Sequence, residues 1–208
     1  MGTANLSHIR CVVFDVGETL VDETRMWGAR AIQVGLTPFT LCGLVGALIA
    51  EGRDHNEVWD MIGVGKPAAG VDPTHEDLYP DALEAVAAVR DLGIAVGVAG
   101  NQPAAVESVL IAAGLHPDFV ASSERWGVAK PDPDFFLRIV TQAGVTAGEI
   151  LYVGDRIDND VLPARSIGMR TAFVRRGPWG YFHASTAAVH LADLRLNSLL
   201  ELTAALRT

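Results

Sequence analysis

Five short apolar runs, each unbroken rather than alternating, set the strongest limit on what this chain can fold into. They are Cys11-Val12-Val13-Phe14, Ile94 to Ala99, Phe119-Val120-Ala121, Ile150-Leu151-Tyr152-Val153 and Thr171-Ala172-Phe173-Val174. A strand with one wet face alternates polar and apolar side chains. One that is apolar throughout needs cover on both faces, as a parallel sheet between two layers of helices provides. The stretches between the runs have helical period and carry end signals. Helices are expected at about 80–92, 103–113, 133–143 and 157–168, with Pro103 and Pro133 at starts and Gly93, Gly114 and Gly144 just past ends.

Residues 23 to 77 interrupt this alternation between the first strand and its crossover helix. They hold helix candidates at about 24–34, 38–51 and 54–62, then the Gly/Pro-rich stretch Gly63 to Pro73. The expected fold is therefore α/β: a Rossmann-like parallel sheet of about five strands with helices on both faces, and a small helical cap inserted after strand 1. Residues 1–22 and 78–208 would form the core and 23–77 the cap. A cap at the strand ends would cover the crevice where open α/β sheets bind ligands.

Composition narrows the function classes. At 208 residues, roughly 70% of the unfolded chain's surface leaves water on folding, so neither disulfides nor a structural metal is needed. The net charge of -9, with no basic cluster longer than Arg175-Arg176, argues against nucleic acid. The longest uncharged apolar stretch, Leu36 to Ala50, is too short to span a bilayer core of about 30 Å, so no membrane partner is expected. Met1 to Arg10 lacks the pattern of a secretory signal, and Cys11 and Cys42 lack a C-x-x-C partner, which fits a reducing, cytoplasmic setting. The six histidines show no i,i+4 pair, so zinc is not expected.

Carboxylates stand where such a sheet binds ligands. Asp15 follows the first apolar run directly, and Asp155 follows the fourth behind Gly154. A carboxylate at the end of a buried strand costs desolvation unless it is paired. Around it, Gly154-Asp155-Arg156-Ile157-Asp158-Asn159-Asp160 gathers three acids that repel one another without a cation. Hard oxygen ligands in a tight group suit Mg²⁺ held together with a substrate phosphate, and the ligand ladder of a calcium loop is missing. Lys130, in Gly127-Val128-Ala129-Lys130-Pro131-Asp132-Pro133, is one of only two lysines among sixteen basic residues. Its compact ammonium can approach a phosphoryl oxygen or a carboxylate where a guanidinium would not fit.

Asp15-Val16-Gly17-Glu18-Thr19, the strand end Gly100-Asn101, the Lys130 turn and Gly154-Asp155 with Asp160 occur in the order of the four motifs of the haloacid dehalogenase-like hydrolases. From about Arg10 to Pro178 the chain resembles that superfamily, in its helical-cap branch. The resemblance implies that Asp15 is a nucleophile forming an aspartyl-phosphate. It implies that Asp15, Asp155 and the carbonyl of Gly17 hold Mg²⁺, with Asp160 supporting the site. Lys130 would stabilise negative charge, Thr19 would orient the loop, and Gly100, Asn101 and Lys130 would receive the phosphate. The implied reaction is hydrolysis of a small phosphorylated metabolite.

Two positions depart from the pattern. Where family phosphatases carry a second aspartate as general acid and base stands Gly17; where motif two has serine or threonine stands Gly100. Proton transfer contributes typically about 10²–10⁴-fold, so Gly17 predicts slow or specialised chemistry that favours aryl or acyl phosphates. Three rival readings follow. One is a catalytically impaired ligand-binding protein of this fold. The second is a phosphonoacetaldehyde hydrolase-like enzyme with Lys66, the lysine of the cap, as Schiff-base former. The third is a haloacid dehalogenase, against which the Asp155/Asp160 pair counts. Arg175 to Trp179 would border either the domain edge, the site mouth or a subunit interface.

Overall fold

A computed structural model describes residues 5–67 and 71–207. The parallel strands are β1 (Cys11–Phe14), β2 (Ala95–Gly100), β3 (Phe119–Ser122), β4 (Ile150–Gly154), β5 (Arg170–Val174) and β6 (Leu194–Leu196), in the order β3-β2-β1-β4-β5-β6. β1 lies between β2 and β4, with Phe14 opposite both Val98 and Val153. The doubly wound α/β architecture is the one expected, with six strands rather than about five. β6 escaped because Leu-Arg-Leu is three residues long with an exposed centre, so it presents no apolar run.

Both faces of the sheet are covered, which is why its strands are apolar throughout. On one side Val12, Phe14, Val96, Val98, Leu151 and Val153 pack with α4 (Ala82–Asp91), α5 (Ala105–Ala112) and α10 (Glu201–Leu206). On the other, Cys11, Val13, Ile150 and Tyr152 meet Phe135, Phe136 and Ile139 of α7 (Pro133–Ala143), which follows the one-turn α6 (Ser123–Trp126), and Ala164 of α8 (Leu162–Ser166). α7 opens as its sequence predicts: Pro133 stands at the start, Asp132 caps Asp134 N–H, and Gly144 ends the helix at φ 66°.

The residues after β1 form α1 (Thr24–Gln33), α2 (Pro38–Ala50) and α3 (Val58–Met61). They build a separate apolar cluster of Trp27, Ala31, Leu41, Val45, Leu48, Ile49, Val58 and Trp59. Trp179, on α9 (Gly177–Ala184), completes it, so the segment after β5 packs on the insert. Within Gly63 to Pro73, residues 68–70 lie outside the described residues, as do 1–4 of the N-terminal segment. No single helix among the described residues is long and apolar enough to cross a membrane; α1 and α2 are bent by 107° from one another. Cys11 is buried and Cys42 exposed, both free.

Candidate active site

Parallel strands deliver their following residues to one edge of the sheet, and β1, β2 and β4 are adjacent there. Asp15 extends the β1 register by one residue, its N–H donating to Val153 O at 2.8 Å. Asp155 follows β4, and a wide turn at Ile157–Val161, π-helical with both Asp160 N–H and Val161 N–H donating to Arg156 O, brings Asp160 back inward. The helix expected over 157–168 is thus a π turn followed by α8. Asp15, Asp155 and Asp160 offer oxygens within 4.8 Å of one another.

Lys130 joins them from the far side. Its Nζ lies 2.7 Å from Asp15 Oδ1 and 2.6 Å from Asp160 Oδ1, with the lysine only 5% exposed. The other Asp160 oxygen accepts the Arg156 N–H at 2.9 Å. Gly154 makes this approach possible, because a Cβ there would stand 2.3 Å from Asp160 Oδ2. Asn101 braces the Lys130 turn from both ends: its Nδ2 donates to Lys130 O at 2.9 Å and its Oδ1 accepts Lys130 N–H at 2.8 Å. At Gly100 a Cβ would lie 2.7 Å from Asp15 Oδ1, so the nucleophile candidate occupies the room a serine would need. Thr19 is fully buried; its carbonyl accepts Arg176 Nη1 at 2.6 Å and its Oγ1 has no hydrogen-bond partner among the described residues.

Three carboxylates against one ammonium leave the site short of positive charge. Burial pushes Asp15 up to about 6 against the pull of Lys130. Burial, then Asp160 and Asp15, drive Asp155 well above the usual carboxylate range. Burial alone would pull Lys130 down, but Asp15 and Asp160 hold it well above its ordinary value. Asp155 is 2% exposed and its Oδ2 has no hydrogen-bond partner among the described residues. A buried carboxylate oxygen without a donor is costly, and a hard cation among these oxygens removes that cost. The residues present therefore fit a divalent metal.

The cluster opens into a cleft of about 540 Å³ whose far wall comes from the insert, including Arg30, His55 and Lys66, with Trp179 at its border. Lys66 is exposed and donates to Asn56 Oδ1 at 2.8 Å. Three acids that sequence spacing did not single out also line the cleft, Glu18, Glu23 and Asp54. Glu18 adopts φ 52°, and burial pushes it up to about 7 although the Tyr79 hydroxyl donates to its Oε2 at 2.6 Å. The left-handed residue could have been suspected only from its place in a tight loop, and Glu23 from nothing linear at all.

Comparison with known proteins agrees with this geometry. The family model for haloacid dehalogenase-like hydrolases matches residues 9–168. The glyceraldehyde 3-phosphate phosphatase of Methanopyrus kandleri is 30% identical over 82% of this chain and 86% of its own length. The phosphoserine phosphatase of Thermus thermophilus is 37% identical over 57% of this chain, a match spanning about half (49%) of that relative. The fold is shared with L-2-haloacid dehalogenase from Xanthobacter autotrophicus, at TM-score 0.72 and 20% identity over 96% of this chain and 98% of that one. A match running from the first strand through the Asp160 turn settles the placement: the chain belongs to the haloacid dehalogenase-like hydrolase family.

Proposed function

We propose that this hydrolase is a Mg²⁺-dependent phosphatase of small phosphorylated metabolites, acting through an aspartyl-phosphate on Asp15. The observation that carries the reading is a buried nucleophile candidate 2.7 Å from Lys130 Nζ, beside a carboxylate oxygen of Asp155 that accepts no hydrogen bond among the described residues. Relatives named as phosphatases support it.

Asp15, Asp155 and the carbonyl of Gly17 would hold the ion, with Asp160 supporting the site. Bound there, Mg²⁺ supplies positive charge against the phosphoryl oxygens. Lys130 keeps Asp15 ionised and offers its remaining donor capacity to the phosphate, with backbone amides at Gly100 and Asn101 as further donors. Asn101 positions Lys130 through the backbone, and Thr19 fixes the loop through its carbonyl. Asp15 attacks phosphorus, the ester oxygen leaves with its electron pair, and water then releases phosphate from Asp15. Residues 23–77 act as a cap over the core of 1–22 and 78–208, excluding water from the intermediate. Two free cysteines suit a cytoplasmic setting.

A screen of sugar phosphates, phosphorylated acids, nucleotides and p-nitrophenyl phosphate, with and without Mg²⁺, tests the reading. Metal-dependent turnover that vanishes in Asp15→Asn is expected. Binding without turnover of any phosphate ester would replace it by a ligand-binding role.

A further inference from the structure

The residue two beyond Asp15 is glycine, yet the space beside it is filled. A Cβ on Gly17 would stand 2.5 Å from Oε1 of Glu23, 2.8 Å from its Cδ and 3.4 Å from its Oε2. Bond lengths put an aspartate's own carboxylate oxygens about 2.4 Å from its Cβ. Glu23 Oε1 thus lies at the radius at which an aspartate at position 17 would carry its oxygens. Gly17 is not in the left-handed region, so close approach by Glu23 accounts for the glycine where backbone strain does not.

Glu23 is held in that place. It is half-buried immediately before α1, and its Oε2 accepts Trp27 Nε1–H at 3.1 Å. Trp27 in turn stacks on Trp59 at 6.2 Å between centroids and 6° between planes. The Glu23 backbone N–H donates to Glu18 Oε1 at 3.1 Å. Glu18 has both oxygens engaged, by that N–H and by Tyr79, and so serves as a brace. Oε1 of Glu23 accepts no hydrogen bond among the described residues, and the side chain lines the cleft that holds Asp15, Lys130 and Asp155.

We propose that Glu23 is the general acid and base of this enzyme, bringing from the start of α1 the carboxyl that the chain lacks at position 17. The inference rests on the phosphatase reading above. As Asp15 bonds to phosphorus, the P–O bond to the alcohol breaks, its electron pair stays on the ester oxygen, and the Glu23 proton goes to that oxygen. Water then attacks phosphorus and gives a proton to the Glu23 carboxylate, while the P–O bond to Asp15 breaks and restores both carboxyl groups. With Glu23 in this role, alkyl phosphates are substrates and the expected restriction to aryl or acyl esters is lifted.

The test compares the wild type, Glu23→Gln and the double variant Gly17→Asp/Glu23→Ala on glycerol 3-phosphate and p-nitrophenyl phosphate, with Mg²⁺. Glutamine keeps an acceptor for Trp27 but no proton to give. Glu23→Gln should lose about 10²–10⁴ of kcat on the alkyl ester. On the aryl ester, whose leaving group needs no proton, it should keep a stoichiometric burst of nitrophenolate followed by slow turnover, because only the water step then lacks its base. The double variant should regain alkyl turnover. An undiminished alkyl rate in Glu23→Gln, or loss of the aryl burst along with it, would overturn the assignment; the second result marks a structural residue. Should Glu23→Gln fail to fold, the double variant decides: alkyl turnover supports a shared role for the two positions, and a folded but inactive protein refutes it. A wild type active on aryl esters alone also refutes Glu23, whereas one active on no phosphate ester refutes the phosphatase reading instead.

Discussion

Lys130 Nζ puts one buried cation between two buried carboxylates, Asp15 at 2.7 Å and Asp160 at 2.6 Å. Removing one member of such a set leaves the others charged and without a partner, a loss of about 3–5 kcal/mol in buried pairs. Lys130→Met should therefore lower stability by about that amount in metal-free buffer, measured by urea unfolding; an unmoved midpoint would show that the pair contributes nothing net. Asp155 supports the converse experiment. Its Oδ2, without a hydrogen-bond partner among the described residues, gives a cation something to stabilise, so Mg²⁺ at a hundredfold excess over Kd should stabilise the wild type by about 2.7 kcal/mol and raise its melting temperature. Asp155→Ala should lose that response. At Gly100 the room for a Cβ is taken by Asp15 Oδ1 at 2.7 Å. Introducing a serine by Gly100→Ser should thus push the Asp15 carboxylate aside and lower kcat, and a higher kcat on p-nitrophenyl phosphate would show that Asp15 moves freely.

At the scale of elements, the strands were legible wherever both faces are buried, since Val12 and Phe14 face one helical layer and Cys11 and Val13 the other. That same rule hid β6, whose Arg195 is exposed between two leucines. It also says nothing of the turn at Ile157–Val161, which widens to a π turn because Asp160 must reach both Lys130 and the Arg156 N–H. Such bulges concentrate where side chains are aimed at a task. The site was legible in part for a related reason. Asp15, Gly100 and Asp155 are fixed by strand ends, and those ends are visible in the pattern. Glu18 enters from the tight loop after β1, where its left-handed backbone is set by tertiary contacts, and Glu23 from the start of an insert whose tertiary path no periodicity specifies. Gly154 belongs to the visible part and offers a sharp test. A methyl group there would meet Asp160 Oδ2 at 2.3 Å and Cγ at 2.4 Å. Overpacking of this kind typically costs about 1–3 kcal/mol, so Gly154→Ala should destabilise the fold and reduce activity together, with thermal unfolding and kcat as the two readouts.

Across the whole molecule, the insert's apolar cluster is closed by Trp179 from the far side of the sheet's sequence, and His55 sits at that junction. Its ring meets Trp179 edge-on at 4.8 Å and Trp27 at 5.8 Å. Burial, and then Arg156, pull His55 down to about 4 from an ordinary value of 6.5; Lys66 and Arg30 act the same way and Asp54 opposes them. Above pH 6.5 the ring is neutral folded or unfolded, and its contribution to stability is complete. Between 6.5 and about 4 the unfolded chain takes up a proton that the folded chain refuses, so this contribution is lost as pH falls, at up to about 1.4 kcal/mol per pH unit. Below about 4 both states are protonated and the loss stops growing. With 21% of the side chain in contact with solvent, a total on the order of 2 kcal/mol is reasonable. Asp15, Glu18 and Asp155 shift in the opposite sense and stabilise the fold as pH falls, so the raw pH profile mixes both. The difference between wild type and His55→Gln isolates the ring. Urea midpoints for the pair should differ most near neutral pH and converge toward pH 4, and a gap that stays constant from pH 7.5 to 4.5 would mean that His55 titrates normally where it stands.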